Sequence, residues 1–189
     1  MIPVVDPGDD FEEVIAAARL GAEWALVALY RSTQPGLIRY LYAHAPGEEE
    51  DLASEVWLQV AQSLAGFEGG REGFRRFVFT IARRRVVDYR RQRARRRTDP
   101  ADNRTMGDLR DRANTEVSAL ERVGGGEAVA RILALLPAEQ AEVILLRVVA
   151  GLSVAEVAQV IGRRPAAVSV LQHRALRRLA DRLRPSDQE

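Results

Sequence analysis

Nine arginines fall between residues 83 and 97, with Tyr89 among them and Phe74, Phe77 and Phe79 just ahead. The chemistry that such a stretch offers is capture of a polyanion. A guanidinium is always charged, and its forked donors fit phosphate oxygens. Each phosphate it neutralises releases counterions. Rings interleaved with these charges can stack against unpaired bases. Phe74, Phe77 and Ile81 taken singly read equally well as core. The arginine cluster does not read well as a mere solvated face, because like charges at that density repel without a polyanion.

A second constellation lies near the C-terminus. Ser153-Val154-Ala155-Glu156 has the spacing of a capping box, with Ser153 bonding the Glu156 amide and Glu156 reaching back. Val154, Val157, Ala158 and Ile161 supply an apolar stripe. Gly162 suits a left-handed turn and Pro165 the first turn of a following helix. That helix, about 165–183, buries Val168, Leu171, Ala175 and Leu179 and presents Ala166, Ser169, Val170, His173, Arg174 and Arg177. A short capped helix, a glycine turn and a longer basic helix make a helix-turn-helix, whose second helix fits a major groove. Arg163 and Arg164 stand at its amide-rich start, suited to phosphate.

Other chemistries find little support. The chain has no Cys and only two His, His44 and His173. No ligand set, nucleophile–base pair or phosphate loop is visible, and Gly124-Gly125-Gly126 lacks a following Lys. The expectation is a non-enzymatic protein with no metal, no cofactor and no small-molecule substrate. No apolar run approaches a membrane span; Val143–Ala150 is interrupted by Arg147. The acidic start, Met1 to Asp10, lacks the features of a signal peptide, so a cytoplasmic location is expected.

The elements that must position these groups are helical throughout. The net charge of +1 conceals blocks of −9 over 1–70, +10 over 71–97, −2 over 98–126 and +2 over 127–189. An acidic block beside a basic one suggests two different partners. All 28 basic residues are Arg, which reads as coding bias in a GC-rich genome rather than as function. Asp10 is expected to cap a helix to about Leu20. A helix over 22–31 should stop before Pro35-Gly36, with 37–44 following. Helices over 48–64 and 73–95 complete the first unit. Thr98-Asp99-Pro100 should end the last of these. The stretch 98–126 reads as a flexible linker with one short helix near Glu116–Val123. Helices at 127–136 and 138–150 precede the helix-turn-helix. The expected fold is all-α, with two small helical domains at 10–97 and 127–185.

Taken in order, these blocks resemble the extracytoplasmic-function sigma factors of the sigma-70 family. Leu29-Tyr30-Arg31 through Leu41 and Glu50 to Leu58 look like that family's polymerase-binding helices. Phe74 through Arg91 looks like its promoter-melting helix. Leu136-Pro137 through Ser153, Glu156-Val157-Ala158 and Val168 to Ala175 look like its minus-thirty-five reader. The resemblance implies that Asp51, Leu52, Glu55 and Gln59 meet the clamp helices of the polymerase beta-prime subunit. It implies that Phe77, Arg83, Arg84, Arg85, Asp88, Tyr89 and Arg91 read and open the minus-ten element. Arg163, Arg164, Ser169, His173, Arg174 and Arg177 would then contact the minus-thirty-five element. The implied partners are RNA polymerase core, including its beta flap, and promoter DNA, with an anti-sigma factor a further candidate. The chain departs from the family pattern at Arg84 (usually Asn), at Phe77 (usually Trp), and at Val170 and Leu171 (often basic or polar). A stand-alone helix-turn-helix regulator is the alternative. It accounts for residues 137–183 but not for an acidic helix followed by an arginine-rich, ring-bearing one.

Overall fold

The computed structural model describes residues 11–98 and 129–183. Among them every regular element is helical. The expected cap Asp10, the linker beyond Thr98 and the short helix near Glu116–Val123 lie outside the described residues.

Four helices form the first unit. Helix α1, Phe11–Arg19, buries Val14, Ile15 and Ala18, with Glu12 and Glu13 at its positive end and Arg19 at its negative end. Helix α2 spans Glu23–His44 and α3 spans Glu49–Leu64. Helix α3 opens on Glu49, Glu50 and Asp51 and buries Leu52, Ala53, Val56, Val60 and Leu64 at helical spacing. Helix α4, Arg71–Thr98, is longer than the expected 73–95. Its front half is core, with Phe74, Val78, Phe79, Ile81, Ala82 and Val86 buried. Rings of Phe11, Phe67 and Phe77 lie 5.3–6.5 Å from one another or from Phe74, closing one end of the bundle.

The expected break at Pro35-Gly36 does not occur, and α2 runs through Pro35. Proline in a helix interior costs about 3 kcal/mol, because it removes a hydrogen bond and crowds the carbonyl four residues back. Here that carbonyl belongs to Arg31, and Arg31 and Pro35 are both exposed. On the other face Leu29, Leu37, Tyr40 and Leu41 are buried on both sides of the proline. Burial of such side chains contributes about 1.5–3 kcal/mol each, enough to hold the helix continuous.

The second unit begins with a helical stretch at 129–133, α5, and continues with α6, Ala138–Ile144. The expected single helix over 138–150 instead passes into a π-helical turn, Leu145–Val149. The amide of Ala150 reaches Leu145 O at 3.1 Å and that of Leu152 reaches Leu146 O at 3.0 Å. Arg147 lies within this turn. Its Nε bonds Gln172 Oε1 at 3.1 Å and its Nη1 donates to the Leu152 carbonyl, tying this turn to the last helix. Helices α7, Val154–Ile161, and α8, Pro165–Leu183, complete the unit.

The two units touch. Helix α2 meets the π-turn and α4 meets α7. At Gly36 a Cβ atom would lie only 3.1 Å from the Val149 carbonyl, so glycine eases the backbone approach there.

Candidate nucleic-acid interface and docking face

The helix-turn-helix is built by local interactions. Ser153 Oγ accepts from the Glu156 amide at 3.3 Å, and Glu156 Oε2 accepts from the Ser153 amide at 2.8 Å. Gly162 takes φ 67° and ψ 40°, the left-handed conformation that favours glycine, and turns the chain into α8. Val168 and Ala175 are buried, with Leu171 and Leu179 packed beside them. This fixes the rotation of α8. Ser169, Val170, His173, Arg174 and Arg177 then face outward and are exposed. Arg164, Arg174 and Arg177 have no acidic partner among the described residues. Arg163 differs, because its Nη2 lies 2.7 Å from Glu139 Oε1. Ser169 Oγ donates to the Pro165 carbonyl at 3.2 Å.

The arginines of α4 are held more closely. Arg83 Nε lies 3.4 Å from Glu142 Oε1. Arg85 bonds Gln59 Oε1 at 3.0 Å and sits 3.4 Å from Glu55. Arg90 Nη2 meets His44 Nδ1 at 2.7 Å, and Arg93 Nη1 donates to the Tyr89 hydroxyl at 3.0 Å. Arg91 is 3.9 Å from Asp88, a loose surface pair. Arg84 is exposed, with no ion pair among the described residues. Phe77 and Tyr89 are half-buried against the core.

On α3 the acidic residues form a stripe. Asp51 and Glu55 are exposed, and Gln59 is half-buried because it turns toward Arg85. Leu52 is 6% exposed, so it lies beneath this face and supports it from the core. Sequence reasoning missed Leu58. It is 62% exposed and shares the stripe of Asp51, Glu55 and Gln62 at positions i, i+4, i+7 and i+11. An apolar residue that helical periodicity places on a charged face was the available signal.

Also missed was Glu142, where the two units meet. Tyr40 Oη donates to Glu142 Oε1 at 2.9 Å, and His44 Nε2 lies 2.8 Å from Glu142 Oε2. The second contact is close, although its alignment falls short of a regular hydrogen bond. Burial pushes the Glu142 carboxyl up. The contacts with His44 and Tyr40 and the Arg83 charge outweigh that and hold it below its ordinary range. The Tyr40 hydroxyl is pushed well up, first by burial and then by the Glu142 carboxylate, so it remains a donor. No sequence signal marks Glu142, because its partners are distant in the chain.

Known protein families match both units. The sigma-70 region 2 model matches residues 29–96 and the sigma-70 region 4 model matches residues 126–179. The chain is 32% identical over 185 residues to the ECF RNA polymerase sigma factor SigD of Mycobacterium tuberculosis, covering 93% of this chain and 85% of that one. The chain belongs to the extracytoplasmic-function sigma factors. It is an alternative RNA polymerase sigma factor, and the region 2 match is what a stand-alone helix-turn-helix regulator leaves unexplained. A second relative is ShbA of Streptomyces griseus, 37% identical over 133 residues and matched over 69% of each chain. Two solved structures share the fold. One is CnrH in complex with the cytosolic domain of CnrY, with 22% identity and a TM-score of 0.65 over 95% of this chain and all of that one. The other is the sigma factor RpoE with the anti-sigma factor NepR from Bartonella quintana, with 21% identity and a TM-score of 0.62 over 84% and 96%.

Proposed function

We propose that this sigma factor acts as a two-handed clamp, divided at 10–97, 98–126 and 127–185. Asp51, Glu55 and Gln59, with Leu58 as an apolar anchor, dock the first unit on the clamp helices of core polymerase. The second unit meets the beta flap and places α8 in the major groove of the minus-thirty-five element. There Arg174 and Arg177 reach bases or phosphates, His173 and Ser169 flank them, and Arg163 and Arg164 steady the backbone. Helix α4 holds the minus-ten region through Arg83, Arg84, Arg85 and Arg91, with Asp88 between them. Bases leave the stack against Phe77 and Tyr89. Unstacking costs a few kcal/mol per base, and aromatic stacking offsets about 1–3 kcal/mol of it. The chain works by binding rather than catalysis, in the cytoplasm with its polymerase. An anti-sigma factor is a further partner, as NepR is for RpoE.

The observation that carries this reading is the outer face of α8, basic and exposed, with Arg174 and Arg177 lacking acidic partners among the described residues. Run-off transcription with purified core polymerase tests it. Arg174→Ala should lose about 1–3 kcal/mol at one base position of the upstream element and relax specificity there. Unchanged output across variants of that element would remove α8 as the reader.

A further inference from the structure

Two arginine-lined clefts differ in their counter-charge. Beside Arg83, Arg90 and Arg163 stand Glu139 and Glu142. A second cleft, of about 210 Å³, lies between α2, the front of α4 and the π-turn. Arg39 and Arg75 line it with Ser32 and Thr33, and no acid does. A small recess shares Ser32, Thr33 and Arg75 with this cleft and adds Arg71, again without an acid. Among the described residues Arg39, Arg71 and Arg75 form no ion pair, although Glu68 and Glu72 are close in sequence. Arg71 Nη2 is buried with no hydrogen-bond partner among those residues, and its guanidinium is steadied 5.6 Å above the Phe11 ring. Arg75 Nη1 rests against Gly151, where a Cβ atom would lie 3.3 Å away. Thr33 is 6% exposed, and its Oγ1 meets Ser32 Oγ only at 3.5 Å, the limit of a hydrogen bond. Ser32 itself donates to the Leu29 carbonyl at 3.0 Å.

A buried donor without an acceptor costs free energy, and guanidiniums gathered in a cleft focus positive potential there. Arginine has only donors, so the missing group is an acceptor-rich anion, and the guanidinium fork matches phosphate oxygens. We propose that this cleft binds a diphosphate group. Arg39 and Arg75 hold it from the cleft walls, Arg71 reaches it from the recess, and the Thr33 hydroxyl adds a donor. A phosphate monoester carries about −1.5 to −2 at neutral pH, so a single one leaves the three guanidiniums under-compensated and a linked pair matches them. The cleft is smaller than the roughly 300–1,000 Å³ pockets that enclose whole drug-sized ligands, so it takes the charged end and leaves any base or sugar outside. That end is shared by free pyrophosphate and by a nucleoside diphosphate. Arg39, Arg71 and Arg75 are none of the residues assigned above to promoter DNA or polymerase, so this binding is a property additional to both.

Calorimetric titration of the full chain with pyrophosphate, at about 0.15 M salt to screen diffuse attraction, tests the site. The wild-type chain should show a single saturable site, and inorganic phosphate should bind more weakly. Arg39→Gln and Arg75→Gln should each weaken pyrophosphate binding about 10-fold, the worth of one charge-assisted hydrogen bond. Arg39 is exposed, so its loss should leave helicity unchanged by circular dichroism. Arg182→Gln, exposed near the end of α8, should bind as the wild-type chain does. Competition by ADP would show that a nucleotide's diphosphate end enters, whereas saturable pyrophosphate binding that ADP leaves untouched would assign the site to free pyrophosphate. Absence of saturable binding, wild-type binding in both Arg39→Gln and Arg75→Gln, or an equal loss in Arg182→Gln would overturn the proposal. So would phosphate binding as tight as pyrophosphate, or displacement of pyrophosphate by a single-stranded oligonucleotide, which would make the cleft part of the DNA path.

Discussion

Helices α4 and α8 are both arginine-rich, yet they treat their charges differently. On α4, Arg83, Arg85, Arg90 and Arg93 are each held by a group of the chain itself, from Glu142 to the Tyr89 hydroxyl. On α8, Arg174 and Arg177 stand exposed without an acidic partner. Helix α8 is aimed by its buried side, Val168 and Ala175, and by the capped turn before it. Its outer face can meet a duplex as it stands. On α4, Arg83, Arg85, Arg90 and Arg93 must first give up a contact, while Arg84 is as open as the α8 arginines. The first arrangement suits a rigid reader of intact duplex, and the second suits a surface that is engaged only after the chain has changed state.

The largest expected effect separates the two halves of α4. Phe74 is 1% exposed, so Phe74→Ala should cost about 3–5 kcal/mol of stability in urea unfolding. Phe77→Ala, at a half-buried position, should cost clearly less and act mainly on promoter opening. Equal losses would erase the division between a core half and a binding half. The next effect concerns how α8 is aimed. Ser153→Ala removes one arm of the capping box and should lower the stability of the second unit by about 1 kcal/mol, read as a shifted unfolding midpoint. A shift in the first unit instead would contradict the independence of the turn.

Smaller effects test the charges themselves. Arg177→Ala should reduce the salt slope of DNA binding by about 1, because a single phosphate contact is lost. Arg83→Ala should reduce that slope less in the free chain, because Glu142 already neutralises it. Identical slopes would mean that the α4 charges are as available as those on α8. The smallest effect is that of pH on stability. Glu142 titrates lower in the folded chain than in the unfolded one, so the unfolded form binds more protons. Its contribution to stability is therefore complete above the ordinary carboxyl value of 4.5 and is lost as pH falls through the lowered value. The groups facing it are Tyr40, His44 and Arg83, with Arg90 behind His44. The stability of the wild-type chain, followed by urea unfolding through an acid titration, should fall more steeply than that of Glu142→Ala.

What the sequence revealed follows the range of the interactions involved. The helix-turn-helix was legible because Ser153, Glu156, Gly162 and Pro165 act on neighbours a few residues away. Burial of Val157, Val168 and Ala175 followed from helical period alone. The continuity of α2 was not legible, because Pro35 argues locally for a break and only burial on both sides overrides it. The π-turn was not legible either, and its Arg147 bonds Gln172, a side chain in another helix. Glu142 and Tyr40 are 102 residues apart, and nothing in either neighbourhood announces the other. Leu58 lay between these cases: the helical period sets it on the face of Asp51 and Glu55, and its exposure in the fold agrees.

Affinity of the chain for sigma-free core polymerase, with and without charge reversal on α3, tests the central claim most directly. The wild-type chain should form a stable complex, and Asp51→Arg with Glu55→Arg should abolish it while leaving the chain folded. A double variant that binds core polymerase as tightly as wild type, or a wild-type chain that does not bind at all, would contradict the account.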